Sequence, residues 1–443
     1  MTGPFIGEPE APAAPQTLAA RRRQPMGSSR AFGSAALVSL AFVGANALAY
    51  AFTVLAARTL APAAFGELAA LMSVLLVGSV PAAGVQTATA LYLGGRRRRD
   101  GSDDTGVVAA RLHTAAGAIG LAVAAVAALL AAPVSALLHL HGLAGALWLA
   151  GLLVPSTLVA GYQGLLQGAG RYGRLAGVNA LFGVGKLAGG TAGLLAGGTP
   201  TAALAGMSAA ACVTALAGWA ASGRPGLAGG HHAAVRETVH ASAALLGFVL
   251  LLNLDLLLAR HHLPAVAAGE YAVGSIVTKV AFWLPQGVGV VLLPRLADDE
   301  HRRRLLPLAV GAVAVVGAAL TLGTAELGDR ALPLIGGSAY GSALGSATWL
   351  FAALGTLLAI AQLLVYSGIA TSDRLAAGAV WAAAATECVV VELLAASGRL
   401  TLVSIVLTAV AVAGVLVLVG FLRGRPVRSG GDGSAGRRAR RRR

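Results

Sequence analysis

Both lysines of this 443-residue chain stand inside long apolar runs, whereas its 31 arginines lie almost entirely between such runs. Lys186 is in the fifth run and Lys279 in the eighth; Asp255 is in the seventh, and Glu387 and Glu392 are in the eleventh. An ionisable group so far from water needs a counter-charge, a wet cavity or a function. A lysine ammonium is a compact charge on a flexible stem, able to meet a phosphate or a carboxylate without arginine's planar fork. Chemistry is therefore expected first at these five residues.

Their spacing implies partners. With a rise of about 1.5 Å per residue, and with the seventh and eighth segments meeting their loop at 260 and 272, Asp255 lies ~7 Å and Lys279 ~10 Å below the same surface. An Asp255–Lys279 ion pair between consecutive helices is feasible. It would serve either as a brace or as a device in which Lys279 receives a diphosphate while Asp255 positions it or exchanges a proton. Lys186 and Glu387 each fall ~15–17 Å from the opposite surface, on helices expected to face each other across a central axis. They too read as a functional pair or as structural groups. Glu392, nearer the interface, is expected to snorkel. Asn46, at mid-depth in the first run, is a candidate for sugar hydroxyls, as are Gln86, Gln163 and Asn179 more weakly; helix bridging is the alternative for each.

Enzymatic readings fail on spacing. Gly183-Val184-Gly185-Lys186 lacks the first glycine and the following Ser/Thr of a phosphate loop. His231-His232 and His261-His262 are expected in short loops on opposite sides, without metal-ligand spacing or neighbouring carboxylates, and His139 and His141 read as an interfacial surface pair. No metal, no cofactor and no catalytic residues are expected, and no loop is long enough for a catalytic domain.

The elements that must position these groups follow from hydropathy. A mean hydropathy of +0.77, with 57% apolar and 12% charged residues, lies far from a soluble domain. Twelve apolar stretches are predicted, near 33–57, 66–93, 107–132, 143–168, 176–198, 200–222, 238–260, 272–297, 305–324, 343–370, 376–396 and 400–422. Each is long enough to cross about 30 Å of hydrocarbon. The arginines sort by loop. The N-terminal tail and every second loop hold Arg21 to Arg23, Arg96 to Arg99, Arg171, Arg174, Arg224, Arg236, Arg295, Arg302 to Arg304 and Arg374, and the C-terminal tail is equally basic. The alternate loops hold only Arg58, Arg260, Arg330 and Arg399. Positive charge resists translocation, so both termini are expected in the cytoplasm. The Ala/Gly/Arg-rich composition fits a high-GC bacterial genome, and the expected location is the bacterial cytoplasmic membrane. The net charge of +15 is then read as contact with anionic lipid rather than with nucleic acid.

An internal repeat organises the runs. Arg58/Arg260, Gly66/Gly269, Glu67/Glu270 and Gly84/Gly287 recur at an offset of 202–203, and Arg174-Leu175-Ala176 recurs as Arg374-Leu375-Ala376 at 200. Six segments separate equivalents, so the halves share one orientation and pack about a pseudo-twofold axis along the membrane normal. The expected fold is an all-α integral membrane protein with about twelve transmembrane helices in two pseudo-symmetric six-helix lobes. Its domains are a disordered tail (1–30), an N-lobe (31–222), a linker (223–237), a C-lobe (238–422) and a basic tail (423–443). Gly185, Gly189, Gly193 and Gly197 form a small-residue stripe that admits a neighbouring backbone. Pro81, Pro155 and Pro285 are expected to kink helices.

Several segments carry a family resemblance. Ala57-Arg58-x-Leu60-x-Pro62-x-x-Phe65-Gly66-Glu67, Gly164-Leu-Leu-Gln-Gly-x-x-Arg171-Tyr172, Asp255, and Ala268-Gly-Glu-Tyr271…Lys279…Leu284-Pro-Gln-Gly…Leu293-Pro-Arg-Leu296 occur in that order. Between Ala31 and Leu422 the chain resembles the polysaccharide-transporter branch of the multidrug/oligosaccharidyl-lipid/polysaccharide (MOP) exporter superfamily. The resemblance implies a flippase for a polyprenyl-diphosphate-linked saccharide working by alternating access. It implies that H+ or Na+ serves as coupling ion and that envelope-polysaccharide biosynthesis enzymes are partners. A multidrug antiporter of the same superfamily and a non-transporting scaffold for envelope assembly are the competing expectations. The antiporter would be expected to place acidic groups in the first lobe.

Overall fold

The computed structural model describes residues 28–99, 105–229, 232–284, 299–340, 344–370 and 374–424. The expectations for both tails, the kink at Pro285 and the motif from Pro285 to Leu296 fall outside them. Among the described residues there is no strand. Among those residues twelve helices are long and apolar enough to cross a membrane.

The N-lobe contains α1 (Ser28–Thr59), α2 (Pro62–Gly78), α3 (Val80–Arg99), α4 (Thr105–Leu129), the short α5 (Ala131–Leu137), α6 (Ala144–Gly168), α7 (Tyr172–Gly197) and α8 (Pro200–Ala221). The C-lobe contains α9 (His232–His262), α10 (Ala265–Trp283), α11 (Asp299–Leu327), the short α12 (Ala331–Gly336), α13 (Trp349–Ala370), α14 (Arg374–Ala396) and α15 (Leu402–Gly424). Helix starts follow local chemistry. Pro62 and Pro200 occupy the first turns of α2 and α8, where a missing N–H costs nothing, and the Thr199 side chain caps α8 by accepting from Ala202 N at 3.2 Å. Pro81 marks a break: α2 ends at Gly78 and α3 restarts at Val80, which bends one membrane crossing. Pro155 is carried inside α6.

The two lobes repeat one packing plan. α6 lies at the centre of the N-lobe, against α3, α4 and α8, while α1 packs on α7 and α7 on α8. Six segments later α13 lies against α10, α11 and α15, while α9 packs on α14 and α14 on α15. The axis itself is visible at Gly66 and Gly269. A Cβ on Gly66 would sit 3.0 Å from Gly269 N, and one on Gly269 would collide with the Pro62 carbonyl. Equivalent residues that touch each other must lie at the symmetry axis. Glycine is required at both because backbone meets backbone there.

Two details differ from the sequence expectation. α10 starts at Ala265, seven residues before the expected 272, because Pro264 fixes its own φ at −54° and leaves the following turn free to coil. α9 starts at His232, inside the expected linker 223–237.

Candidate functional site

Two acidic groups lie deep in the C-lobe interior. Asp255 in α9 is 4% exposed and Glu387 in α14 is 1% exposed, on two helices that pack against each other. The Tyr271 hydroxyl, from α10, donates to Asp255 Oδ2 at 2.9 Å. Glu387 Oε1, Asn253 Oδ1 and Thr278 Oγ1 are buried without a hydrogen-bond partner. Two carboxyl groups sharing a water-poor interior need a proton or a cation between them, because like charges there repel and neither is solvated. Of the unpartnered oxygens, that of the Glu387 carboxyl is the one that can itself take up a proton.

The Asp255–Lys279 ion pair expected from sequence does not form; Lys279 feels the Asp255 charge, but no nitrogen–oxygen contact of ion-pair length joins them. The register explains this. Because α10 starts at Ala265, Lys279 lies ~21 Å along it, whereas Asp255 lies ~10 Å from the end of α9. Tyr271, two turns earlier on the same helix, takes the place beside Asp255 that Lys279 was expected to occupy. Lys279 is left half-buried near mid-depth.

Lys186 and Glu387 are not brought together. Glu387 lies in the C-lobe, on a helix packed against that of Asp255, while the Lys186 ammonium lies 4.4 Å over the Phe182 ring, one turn back on α7. Lys186 shares a helix stripe with Gly183 and Gly190, which abut Ala45 and Phe52 of α1. That same α1 carries Asn46, half-buried, whose amide donates to Phe42 O at 3.0 Å within its own helix. Gln163 donates to Asn179 Oδ1 at 2.6 Å and so bridges α6 and α7. The opposite edge of α7 is the glycine stripe: Gly185 and Gly189 meet Ala210, Gly189 meets the Gly206 backbone, and Gly193 and Gly197 meet Ala202 of α8.

The lobes meet along α2–α10 and α3–α9, where Gly84 abuts Thr238 and Ser242. At the end of the bundle remote from Ser28 and Gly424, termed here the distal end, two arginines also join them. Arg58 closes α1 and donates to Leu334 O at 2.6 Å and Ile335 O at 3.1 Å on the opposite lobe. Its repeat equivalent Arg260 closes α9 and donates to Leu138 O at 2.9 Å, His139 O at 3.0 Å and Ala63 O at 3.4 Å. Each arginine therefore caps carbonyls of the other lobe's distal connector. Phe65 meets Tyr340 edge-on, with centroids 6.3 Å apart, across the same seam. Tyr50 of α1 meets the Trp283 indole of α10.

His139 and His141 are exposed, as expected, but each has a partner: His139 stacks on His261 of the other lobe at 5.8 Å, and His141 Nδ1 lies 2.5 Å from Glu67 Oε2. Glu392 is exposed, as expected of a snorkelling side chain, and its Oε1 lies 3.0 Å from His262 Nε2. His261-His262 therefore does have a neighbouring carboxylate, supplied by a residue 130 positions away on α14. Sequence spacing missed this group, and missed Tyr271, Asn253 and Thr278, because each depends on which helices become neighbours. The one available signal was a tyrosine within the repeat motif of a chain with only 5% aromatic residues.

An apolar groove of about 580 Å³ runs between α14 and α15, lined by Ala379, Ala383, Thr386, Val390, Thr408 and Val412 among others. It is almost devoid of polar groups and offers no means of reading a headgroup.

No family model matches the sequence, and no curated protein matches it. Solved structures match its fold. The chain is similar to an inward-facing multidrug resistance transporter of the MATE family of the MOP superfamily, at 12% identity and a TM-score of 0.66, over 85% of this chain and 94% of that one. It is similar to the lipid II flippase MurJ in an inward closed conformation, at 12% identity and a TM-score of 0.69, over 87% of each chain. It is also similar to a MOP superfamily transporter from Pyrococcus furiosus, at 14% identity and a TM-score of 0.57, over 88% of this chain and 94% of that one. The twelve-helix, two-lobe fold of these transporters is the fold of this chain.

Proposed function

We propose that this protein is a MOP-superfamily transporter that flips a polyprenyl-diphosphate-linked saccharide across the bacterial cytoplasmic membrane, its two lobes rocking about the Gly66–Gly269 axis. In this reading the distal end faces outward, and the arginine caps hold it shut in the conformation described. The supporting observation is the placement of the two lysines. Each lobe carries one, half-buried, ~17 Å (Lys186) and ~21 Å (Lys279) from the distal end of its helix, and neither makes an ion pair among the described residues. A cation held at that depth without a directly paired carboxylate is matched to an anionic headgroup, and a diphosphate with its attached sugar is such a cargo. Asp255 and Glu387 then bind the coupling H+ or Na+, with Tyr271 fixing the Asp255 carboxyl. Neutralising that pair removes the repulsion between α9 and α14 and so biases one lobe arrangement over the other.

The multidrug-antiporter reading draws on one observation, the same acid pair, which would suit a cationic cargo. Proteoliposomes separate the two. With a fluorescent polyprenyl-diphosphate saccharide in the inner leaflet, the flippase reading expects movement that the Lys186→Ala/Lys279→Ala protein loses at unchanged membrane abundance. Movement of lipophilic cations instead, untouched by the lysine substitutions but abolished by Asp255→Asn, would establish the antiporter. A depletion strain that accumulates lipid-linked saccharide intermediates would support the flippase in cells.

A further inference from the structure

We propose that the distal end carries a site for a divalent transition-metal ion of the Zn2+ type, formed by His261, His262 and Glu392 and anchored to the opposite lobe through Leu137 and His139. One ligand atom from each of the three residues lies within 4.8 Å of the other two. A tetrahedral zinc ion with nitrogen and oxygen ligands holds them roughly 3.3 Å apart, so small side-chain rotations close the site. The residues come from two helices, α9 and α14, and no element supplies more than two adjacent ligands.

The tautomer at His261 is already fixed. Its Nδ1 lies 2.7 Å from Leu137 O, and a carbonyl can only accept, so Nδ1 carries the proton and Nε2 keeps the lone pair. A backbone carbonyl holding the far nitrogen is how metal-binding histidines are commonly oriented. At His262 the Nε2–Glu392 edge, 3.0 Å across, is where an ion would insert. The Glu392 side chain is 58% exposed and that of His262 15%, which gives an open approach on one side and a packed wall on the other. An exposed His–Glu pair by itself adds little to stability. A second histidine whose ring meets His262 at 4.5 Å, with its proton already assigned, is more than such a pair requires.

The anchoring residues set the consequence. Leu137 and the His139 ring belong to the N-lobe, whereas all three ligands belong to the C-lobe. An ion on His261 stiffens the donor that holds the Leu137 carbonyl, and so tightens the distal seam. This second step rests on the alternating-access reading above; metal binding itself does not.

The test uses the full chain, purified in detergent without an affinity tag, with Zn2+ and Co2+ as probes. Wild-type protein should bind one Zn2+ tightly, and Co2+ should give the visible absorption of a low-symmetry four-coordinate ion. Glu392→Gln, isosteric and at an exposed position, should weaken binding at least about 10-fold, and His262→Ala about 100-fold. His139→Ala should leave the ligands in place and the affinity within a few-fold. Equal Zn2+ affinity in wild type, Glu392→Gln and His262→Ala would overturn the site and leave His262–Glu392 as an ion pair. With the site established, Zn2+ added at the distal face of proteoliposomes should slow transport by wild type and not by Glu392→Gln; no effect on wild type would overturn the seam-tightening step alone. Wild-type protein that binds Zn2+ but moves no cargo would count against the transport reading and not against the metal site.

Discussion

The two lobes share a packing plan and divide the work. At the repeat offsets, the C-lobe residues Asn253, Asp255, Tyr271, Lys279 and Glu387 correspond to Ala51, Thr53, Leu68, Leu76 and Leu187 of the N-lobe. Where one lobe buries two carboxyl groups and a phenol, the other has four apolar residues and a threonine whose hydroxyl is satisfied by Ala49 O on its own helix. The reverse holds for glycine. α7 and α8 interlock through Gly189, Gly193 and Gly206, whereas α14 has Val389 and Leu393 at the first two equivalents, and a groove remains between α14 and α15. At this helix pair the N-lobe is the tighter half, although the C-lobe has close glycine contacts of its own at Gly274, Gly317 and Gly355; the C-lobe is the half that buries Asp255 with Glu387. Pseudo-symmetry of the backbone does not require symmetry of chemistry, because a buried charge is costly and one copy suffices for a coupling step.

The largest test of that division removes the buried acids. Asp255→Asn and Glu387→Gln should each lower cargo movement in proteoliposomes by about 100-fold or more, while Thr53→Val, at the Asp255 equivalent, stays within about two-fold. Matching losses in both lobes would end the asymmetry. Next comes Lys279→Ala, expected to cost about 10-fold or more in movement with normal membrane abundance, and Lys279→Arg, which keeps charge but changes shape, should recover part of it. If Lys279→Ala instead lowers abundance and Asp255→Ala/Lys279→Ala restores both abundance and movement, the lysine is structural.

The tighter helix pair should respond in stability. Gly206→Leu drives a side chain into the Gly189 backbone and should cost about 3 kcal/mol, read as a fall in detergent melting temperature. Ala383→Leu, which points bulk into the α14–α15 groove, should cost under about 1 kcal/mol. Equal shifts would show that the groove is closed in solution. The smallest contrast lies at the distal seam. Arg260 is buried with three carbonyl acceptors and Arg58 is exposed with two, so Arg260→Ala should release the seam more than Arg58→Ala. Cross-linking yield between Cys residues placed at 65 and 340 would measure that release.

Much of this was legible in residue order. Hydropathy placed twelve crossings close to where the helices stand, since crossing length depends only on bilayer thickness and helix rise. The recurrence of Arg58-x7-Gly66-Glu67 as Arg260-x8-Gly269-Glu270 announced two lobes, and it marked the very residues that meet at the axis. Buried ionisable groups were recognisable as such because a charge within an apolar run has few uses. The glycine stripe of α7 was likewise readable as a packing face.

Partnership was not legible, and for a definite reason. A shift of seven residues in the start of α10 moves a side chain about 10 Å along the helix and most of two turns around it. That shift replaced Lys279 with Tyr271 beside Asp255. Glu387 joined Asp255 rather than Lys186, and Glu392 reached His262 from 130 residues away, because α14 packs on α9 within one lobe. Sequence alone determined the number of crossings, their shared orientation and the inventory of costly groups, all of which depend on local composition against a fixed solvent. Tertiary structure alone decided which of those groups touch, since that is set by helix register and neighbour choice, and neither is encoded within any single helix.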